Sequence, residues 1–224
     1  MNPVTLVDSP RREQLLAAAR CRHTAPMRQI MLDLDSTVFP LIETIGHHVG
    51  RPGFSPHDCE TWDSLVEHLG GVPQLIQVLD EVLVYEKMMS GGVYEGAVEA
   101  VHALRDHGVR VHVVTDRPAH VFDDTRRYLL DHDLPFDELV VVPKVDKLAY
   151  CTEQQIGVVV DDHPELIRRA HRAGLDVCAL RYPYNTPSLD ACGLTGARDW
   201  REMGGQVFDA VERRVMAPLA QAAA

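Results

Sequence analysis

The sequence predicts an α/β fold in which a mostly parallel sheet carries helices on both faces. Short apolar runs alternate along the chain with helix-like segments, and this alternation is typical of parallel strands joined by right-handed helical crossovers. Polar residues directly follow several of the apolar runs, and sheets of this kind bind ligands beyond the carboxyl ends of their strands. One long helical stretch interrupts the alternation and indicates an insertion.

The predicted strands and helices follow one another in a regular order. The strands are "QIMLDLD", "VRVHVVTD", "ELVVVP", "IGVVVDD" and "DVCALRY". The helices between them are "GAVEAVHALRDHG", "HVFDDTRRYLLDHD", "KLAYCTEQQ" and "PELIRRAHRAG". Several of these helices end in Gly or are followed by Pro, as helix termination favours.

Residues 39–92 form the predicted insertion. They contain segments of helical period, "LIETIGHHVG", "TWDSLVEHLG" and "PQLIQVLDEVLVYEKMM", separated by stretches rich in Gly and Pro. Because it follows the first strand directly, this insertion is predicted to be a small helical cap that excludes water and contacts a ligand. The predicted division of the chain is an N-terminal extension (1–27), an α/β core (28–38 and 93–215), the cap (39–92) and a tail (216–224).

The composition excludes several classes of partner. The chain has 224 residues and a formal net charge of −11, with no block of Lys and Arg. Such a surface does not suit a nucleic-acid polymer or an anionic membrane, because both require many cations facing phosphates. No apolar run reaches the ~20 residues of a membrane-spanning helix. The 5 cysteines are scattered without zinc-site spacing, which indicates reduced thiols in a cytoplasmic protein.

Polar residues at three predicted strand ends are the candidate site residues. They are Asp33 and Asp35, Thr115 and Asp116, and Asp161 and Asp162. A pair of carboxylates after a strand also serves as strand-end or turn chemistry, and either Asp161 or Asp162 can cap the helix that Pro164 begins. Because parallel strands end at the same edge of a sheet, the three pairs are expected to converge on one pocket.

These residue types suit phosphoryl transfer. Asp33 is the predicted nucleophile, since an aspartate can attack phosphorus to form an aspartyl-phosphate. Asp35 is the predicted general acid and base, which gives a proton to the leaving oxygen and later takes one from water. Thr115 offers a hydroxyl and a backbone N–H to a phosphate oxygen, and Asp116 beside it is a second predicted substrate-binding residue.

A carboxylate nucleophile needs positive charge around it, because a phosphate dianion repels it. A divalent metal ion supplies such charge, and Mg²⁺ prefers oxygen ligands. The predicted ligands of Mg²⁺ are Asp33, Asp35, Asp161 and Asp162.

A lysine is expected to complete the site. Lys144 and Lys147 both lie between the strand that ends at Thr115 and the strand that ends at Asp161. Lys147 is favoured because it begins a predicted helix, where its ammonium joins the positive end of the helix dipole. Lys144 stays open as the alternative.

The motifs in this order resemble those of the haloacid dehalogenase (HAD) superfamily. "DLDST" at 33–37, "VVTD" at 113–116, a lysine within 144–147 and "VVVDD" at 158–162 look like its four ordered motifs, and the resemblance spans about residues 29–190. Each motif is short, but together, each at a strand end, they are specific. The resemblance implies a Rossmann-like core, Mg²⁺ and an aspartyl-phosphate intermediate, with the residue roles given above.

The chain is most similar to the 5'(3')-deoxyribonucleotidase branch of that superfamily. It shares a helical cap after the first motif, a His-Pro pair after the paired aspartates and a late "YPYN" at 182–185. It has Ser36 where the branch usually has Gly, and "TDRP" at 115–118 where the branch usually has Thr-Ser-Pro. The resemblance implies a 5'-nucleotidase that acts on (deoxy)ribonucleoside monophosphates. Dehalogenation is set aside because the dehalogenases proper lack a carboxylate at the position of Asp35.

Alternatives stay open at the level of sequence. The protein could be an HAD phosphatase of another small phosphorylated metabolite, or a noncatalytic phosphate-binding module, which would need neither a nucleophile nor an acid/base. The expected partner is a small phosphorylated molecule, bound by a monomer or a homodimer.

Arg117 could steer a phosphate or pair with Asp116. Aromatic residues in or beside the cap could stack on a nucleobase or form the core of the cap: Phe39, Phe54, Trp62, Tyr85 and Tyr94.

Overall fold

A computed structural model describes the protein's backbone over residues 28–222 and its side chains over residues 28–216. The predicted N-terminal extension, residues 1–27, lies outside the described residues. At the other end, a long helix, Trp200–Ala222, continues into the segment 216–224 that the sequence predicts as a tail.

A parallel sheet of five strands forms the centre of the described residues, and the predicted α/β fold is confirmed. The strands are β1 Gln29–Leu32, β2 Arg110–Thr115, β3 Glu138–Val141, β4 Val158–Val160 and β5 Asp176–Cys178. They lie in the order β3-β2-β1-β4-β5, and each neighbouring pair is parallel. The strand order reverses between β1 and β4, and an open α/β sheet binds ligands at such a reversal.

The helices cover both faces of the sheet. They are α1 Leu41–His48, α2 Trp62–Leu69, α3 Val72–Val82, α4 Tyr85–Gly91, α5 Ala97–Asp106, α6 Phe122–Asp131, α7 Lys147–Gln154, α8 Pro164–Arg172, α9 Thr186–Ala191 and α10 Trp200–Ala222. Helices α1 to α4 lie within the predicted insertion, and α5 leads into β2. None of the helices between residues 28 and 222 combines the length and apolar character that a bilayer crossing requires.

The two faces of the sheet bury different apolar side chains, because successive residues of a strand point to opposite faces. Ile30 and Leu32 of β1 belong to the larger core, together with residues of α5, α6 and α10. Met31 packs on the other face with residues of α7, α8 and α9. All residues of β1 are buried, which explains why Ile30, Met31 and Leu32 form a continuous apolar run rather than an alternating pattern.

The insertion packs onto the larger core and has defined helix starts. Helix α4 lies close against α1 at Gly91, where an added Cβ would collide with Thr44 Oγ1. Thr61 is the N-cap of α2, because its Oγ1 accepts a hydrogen bond from the Ser64 N–H at 3.2 Å. This cap places Trp62 in the first turn of α2.

Candidate active site at the carboxyl ends of the strands

The ends of β1, β2 and β4 bring predicted site residues to one edge of the sheet. Asp33 follows β1, and its N–H donates to Val160 O of β4 at 2.9 Å. Asp161 follows β4, and its N–H donates to Cys178 O of β5 at 3.2 Å. These bonds extend the strand pairing, so both aspartates have fixed backbones. Thr115 ends β2, the other neighbour of β1, and is fully buried.

Three buried carboxylates form a cluster at this edge. Asp33, Asp161 and Asp162 each offer one oxygen, and these oxygens lie within 4.8 Å of one another. Burial raises the pKa of Asp33 well above its ordinary value, although Lys147 opposes that effect. Burial, together with the neighbouring Asp161, raises the pKa of Asp162 to about 7. The charged form of the cluster is therefore unfavourable unless positive charge lies beside it.

Lys147 lies inside this cluster. It begins α7 and is 2% exposed, and its Nζ donates to Asp33 Oδ1 at 2.6 Å and to Asp161 Oδ2 at 2.9 Å. Burial alone would lower the pKa of the Lys147 ammonium, but the Asp161 and Asp33 carboxylates outweigh burial and raise its pKa. Lys147 is thus a buried cation held between the ends of β1 and β4.

Asp116 and Lys144 lie outside the cluster. Asp116 is exposed, and its Oδ2 forms an ion pair with Lys144 Nζ at 3.6 Å. Lys144 Nζ also lies 5.0 Å from the centroid of the Trp62 ring. Of the two lysines that the sequence leaves open, Lys147 is therefore the one that contacts Asp33.

The Asp35 carboxylate contacts an arginine instead of the carboxylate cluster. Both of its oxygens accept hydrogen bonds from Arg117. Among the described residues, the group able to share a metal ion does not include Asp35. The predicted metal-binding role of Asp35 stays a prediction, and in this structure its carboxylate is paired with the Arg117 guanidinium.

The loop after β1 contains a residue with a positive φ and accepts hydrogen bonds from side chains that are distant in sequence. Ser36 has a φ of 56°, in the left-handed region that favours glycine, so the serine adopts the conformation for which Gly is usual. The Ser36 Oγ is buried and has no hydrogen-bond partner within the described residues. Tyr182 OH donates to Ser36 O at 3.1 Å, and Trp200 Nε1 donates to Thr37 O at 2.7 Å.

The "YPYN" segment supports Asp162. Tyr184 OH donates to Asp162 Oδ2 at 2.5 Å, and Thr37 Oγ1 donates to Asp162 Oδ1 at 3.3 Å. The fully buried Asn185 donates through Nδ2 to Asp162 O at 3.0 Å and to Leu180 O at 2.8 Å. These contacts hold the carboxylate and backbone of Asp162 in one arrangement.

Trp62 connects the insertion to the edge of the site. Its ring centroid lies 4.8 Å from that of His163 and 5.5 Å from that of Tyr184, and the side chain is partly exposed. The other aromatic residues that the sequence singles out pack in the core or donate hydrogen bonds to carboxylates elsewhere. Of that set, Trp62 is the residue in contact with groups that flank Asp162.

The sequence does not predict the contacts of two residues in this site, Arg117 and Tyr184. Arg117 is predicted to meet phosphate or Asp116, whereas the structure pairs it with Asp35. A signal for this pairing was present, because Arg117 lies two residues after the buried Thr115, and such residues tend to share a face of an extended chain. For Tyr184, spacing in the sequence contains no signal for its bond to Asp162.

The histidine after the paired aspartates makes stability depend on pH. His163 Nδ1 accepts a hydrogen bond from the Glu165 N–H at 3.3 Å and so caps α8 in its neutral form. Burial, helped by Lys144, lowers the pKa of His163 to about 4 from 6.5. Between these values the unfolded chain takes up a proton at His163 that the native protein does not, so the contribution of His163 to stability falls as the pH drops through this window.

We expect the wild type to lose about 1 kcal/mol more unfolding free energy than His163→Asn between about pH 7 and pH 5, a figure reduced because solvent reaches part of the ring. Asparagine keeps a side-chain cap for α8 but does not titrate. Urea denaturation of both proteins at the two pH values measures the difference. Equal losses would contradict the assigned pKa shift.

Comparison with known proteins identifies the fold. No protein-family model matches the chain, and a search of curated proteins returns no match. A HAD family hydrolase from Deinococcus radiodurans R1, solved with bound phosphate and sodium, is 16% identical with a TM-score of 0.50, over 77% of this chain and 91% of that chain.

Further solved structures show the same similarity. A HAD-superfamily hydrolase from Ehrlichia chaffeensis is 13% identical with a TM-score of 0.50, over 84% of this chain and 99% of that chain. A protein assigned as a β-phosphoglucomutase from Thermotoga maritima is 17% identical with a TM-score of 0.51, over 82% of this chain and 99% of that chain. The chain therefore has the Rossmann-like α/β fold of these structures.

Proposed function

We propose that this protein is a Mg²⁺-dependent phosphomonoesterase of the HAD type, which hydrolyses (deoxy)ribonucleoside monophosphates through an aspartyl-phosphate intermediate. The observation that carries the proposal is the contact of buried Lys147 with Asp33 inside a cluster of three buried carboxylates. A cation in this position reduces the repulsion between a carboxylate nucleophile and an approaching phosphate dianion. A site that only bound phosphate would have no need for the nucleophile.

In the proposed reaction, an Asp33 oxygen attacks phosphorus while the bond from phosphorus to the leaving-group oxygen breaks. Asp35 gives its proton to that oxygen. Water then attacks the phosphorus of the aspartyl-phosphate, gives a proton to Asp35, and releases inorganic phosphate and free Asp33. Lys147 and the Thr115 hydroxyl are the proposed partners of the phosphate oxygens, since Thr115 ends β2 beside β1 and the Lys147 ammonium contacts Asp33 directly after β1.

The carboxylate cluster suits a hard dication. Asp33, Asp161 and Asp162 provide oxygen ligands from the ends of two neighbouring strands, and they are the proposed metal-binding residues. Lys147 contacts two of the three carboxylates, so one ammonium does not neutralise the cluster when all three are ionised. When bound, Mg²⁺ supplies positive charge to these carboxylates and to the phosphate oxygens.

Tyr184 is expected to tune the affinity for the metal. Its hydroxyl orients Asp162, and supporting hydrogen bonds of this kind often change metal affinity tenfold or more. We expect Tyr184→Phe to weaken Mg²⁺ binding about tenfold, measured as the Kd for Mg²⁺ by isothermal titration calorimetry. Tyr85→Phe, which removes a hydroxyl that contacts Asp131 on α6, is the matched control and should not change that Kd. Equal Kd values for Mg²⁺ in the two variants would contradict the role of Tyr184.

The nucleotide part of the proposal is supported by the insertion. The partly exposed Trp62 lies beside His163 and Tyr184, next to the proposed metal-binding residues. An aromatic face in this place could stack on a nucleobase for about 1–3 kcal/mol. The resemblance of the motifs to the 5'(3')-deoxyribonucleotidase branch supports the same substrate class, and helices α1 to α4 would then act as the cap that encloses the leaving group.

The test is phosphate release from a panel of ribo- and deoxyribonucleoside monophosphates and sugar phosphates, with and without Mg²⁺. We expect Mg²⁺-dependent release from nucleoside monophosphates. Release confined to sugar phosphates would support the phosphatase mechanism and contradict the assignment of nucleotides as substrates. Binding of phosphate compounds without any release would contradict the enzyme and favour a phosphate-binding module.

A further inference from the structure

Arg117 holds Asp35, the proposed acid and base, through two parallel hydrogen bonds. Its Nε lies 3.0 Å from Asp35 Oδ2, and its Nη2 lies 2.6 Å from Asp35 Oδ1. A planar guanidinium that meets a carboxylate in this way fixes direction as well as distance. The Asp35 carboxylate is therefore held in one orientation.

The guanidinium is itself fixed on its far side. Its Nη1 donates to Met88 Sδ at 3.0 Å and to Thr125 Oγ1 at 3.2 Å, and its Cζ lies 5.0 Å from the centroid of the Phe39 ring. Met88 belongs to α4 of the insertion, and Thr125 belongs to α6 of the core. Arg117 cannot turn without losing these contacts. The insertion and the core therefore both determine the orientation of Asp35.

The two members of the pair differ in exposure. The Arg117 side chain is 1% exposed and the Asp35 side chain is 17% exposed, so the carboxylate keeps a side open to solvent and the arginine lies behind it. Stability alone explains a buried ion pair poorly, because the cost of removing both charges from water offsets much of their attraction. Orientation of an accessible carboxylate gives a functional reason for the buried arginine.

We propose that Arg117 is a positioning residue, which holds Asp35 in the orientation from which it protonates the leaving-group oxygen. This inference rests on the proposed phosphatase function. In that step the O–H bond of Asp35 breaks, the proton passes to the leaving oxygen, and the bond from that oxygen to phosphorus breaks. Arg117 exchanges no proton, so its effect depends on how much the leaving group needs one.

Two substrates with different leaving groups test the proposal in Arg117→Met. The phenolate of 4-nitrophenyl phosphate leaves readily without a proton, whereas the alkoxide of an alkyl phosphate requires one. For the alkyl phosphate that the wild type hydrolyses fastest, we expect kcat/KM, which reports the step that forms the aspartyl-phosphate, to fall about tenfold or more, and for 4-nitrophenyl phosphate by less than about threefold. The ratio of the two kcat/KM values does not depend on the folded fraction, so partial unfolding cannot produce this result.

Three further variants sharpen the test. Arg126→Met removes an exposed arginine from α6 and should leave the ratio unchanged. Arg117→Lys keeps the charge but not the paired hydrogen bonds, and we expect a ratio between those of the wild type and Arg117→Met. In an Asp35→Asn background, adding Arg117→Met should change the ratio no further, because Arg117 acts through Asp35.

The outcomes separate the two proposals. Equal losses of kcat/KM for both substrates in Arg117→Met would overturn the positioning role and leave the proposed function intact. A wild-type protein that releases phosphate from neither compound would overturn both.

Discussion

Asp33→Asn is expected to remove phosphate release almost completely, with a loss of about 10⁴-fold or more in kcat. The amide has nearly the same shape as the carboxylate but is a far weaker nucleophile. Burial raises the pKa of Asp33 well above its ordinary value, so an uncharged side chain is easier to accommodate at this position. We therefore expect the Tm of the variant in Mg²⁺-free buffer to be no lower than that of the wild type.

The combination of lost activity and retained stability distinguishes a nucleophile from a structural residue. Asp106→Asn, which changes an exposed carboxylate at the end of α5, is the matched control and should keep wild-type activity. A continuous phosphate-release assay measures the activity of both variants, and thermal melting measures their stability. Activity within about tenfold of wild type in Asp33→Asn would rule out the aspartyl-phosphate route.

Lys147→Met is expected to give the second large effect, a loss of about 10²- to 10³-fold in kcat. The substitution removes the ammonium that contacts Asp33 and Asp161 and leaves both carboxylates buried without it. Breaking a buried ion pair in this way typically costs about 3 kcal/mol, so the unfolding free energy should also fall in the absence of Mg²⁺. Urea denaturation measures that loss, and added Mg²⁺ should recover part of it.

Lys144→Met is the matched control, because this lysine lies three residues away and pairs with exposed Asp116. We expect its kcat to stay within a few-fold of the wild-type value, since exposed ion pairs contribute little. The reverse pattern, with a large loss in Lys144→Met and a small one in Lys147→Met, would exchange the assignments of the two lysines.

The fold could be predicted from the sequence because burial determines the pattern of each strand. Ile30, Met31 and Leu32 of β1 are buried on both faces of the sheet, and a strand in that position needs consecutive apolar residues. The polar residues after β1, β2 and β4 then had to meet at one edge, since parallel strands end on the same side. Asp33, Asp161 and Asp162 lie together for this reason.

The contacts of individual side chains could not be predicted in the same way. Arg117 had more than one carboxylate near it in the topology, and its choice of Asp35 over Asp116 depends on how Met88 and Thr125 hold the guanidinium. Packing between elements distant in sequence decides between the two carboxylates, whereas the local period only places Arg117 on the same face as Thr115.

The loop after β1 also has a consequence for protein synthesis. Its backbone carbonyls at Ser36 and Thr37 accept hydrogen bonds from side chains that lie 146 and 163 residues further along the chain. At a translation rate of about 5–20 residues per second, a ribosome takes on the order of ten seconds to add those partners. A nascent chain that already carries Asp33 therefore lacks the anchors of its loop, and the site can reach its final arrangement only once Trp200 has emerged from the ribosome.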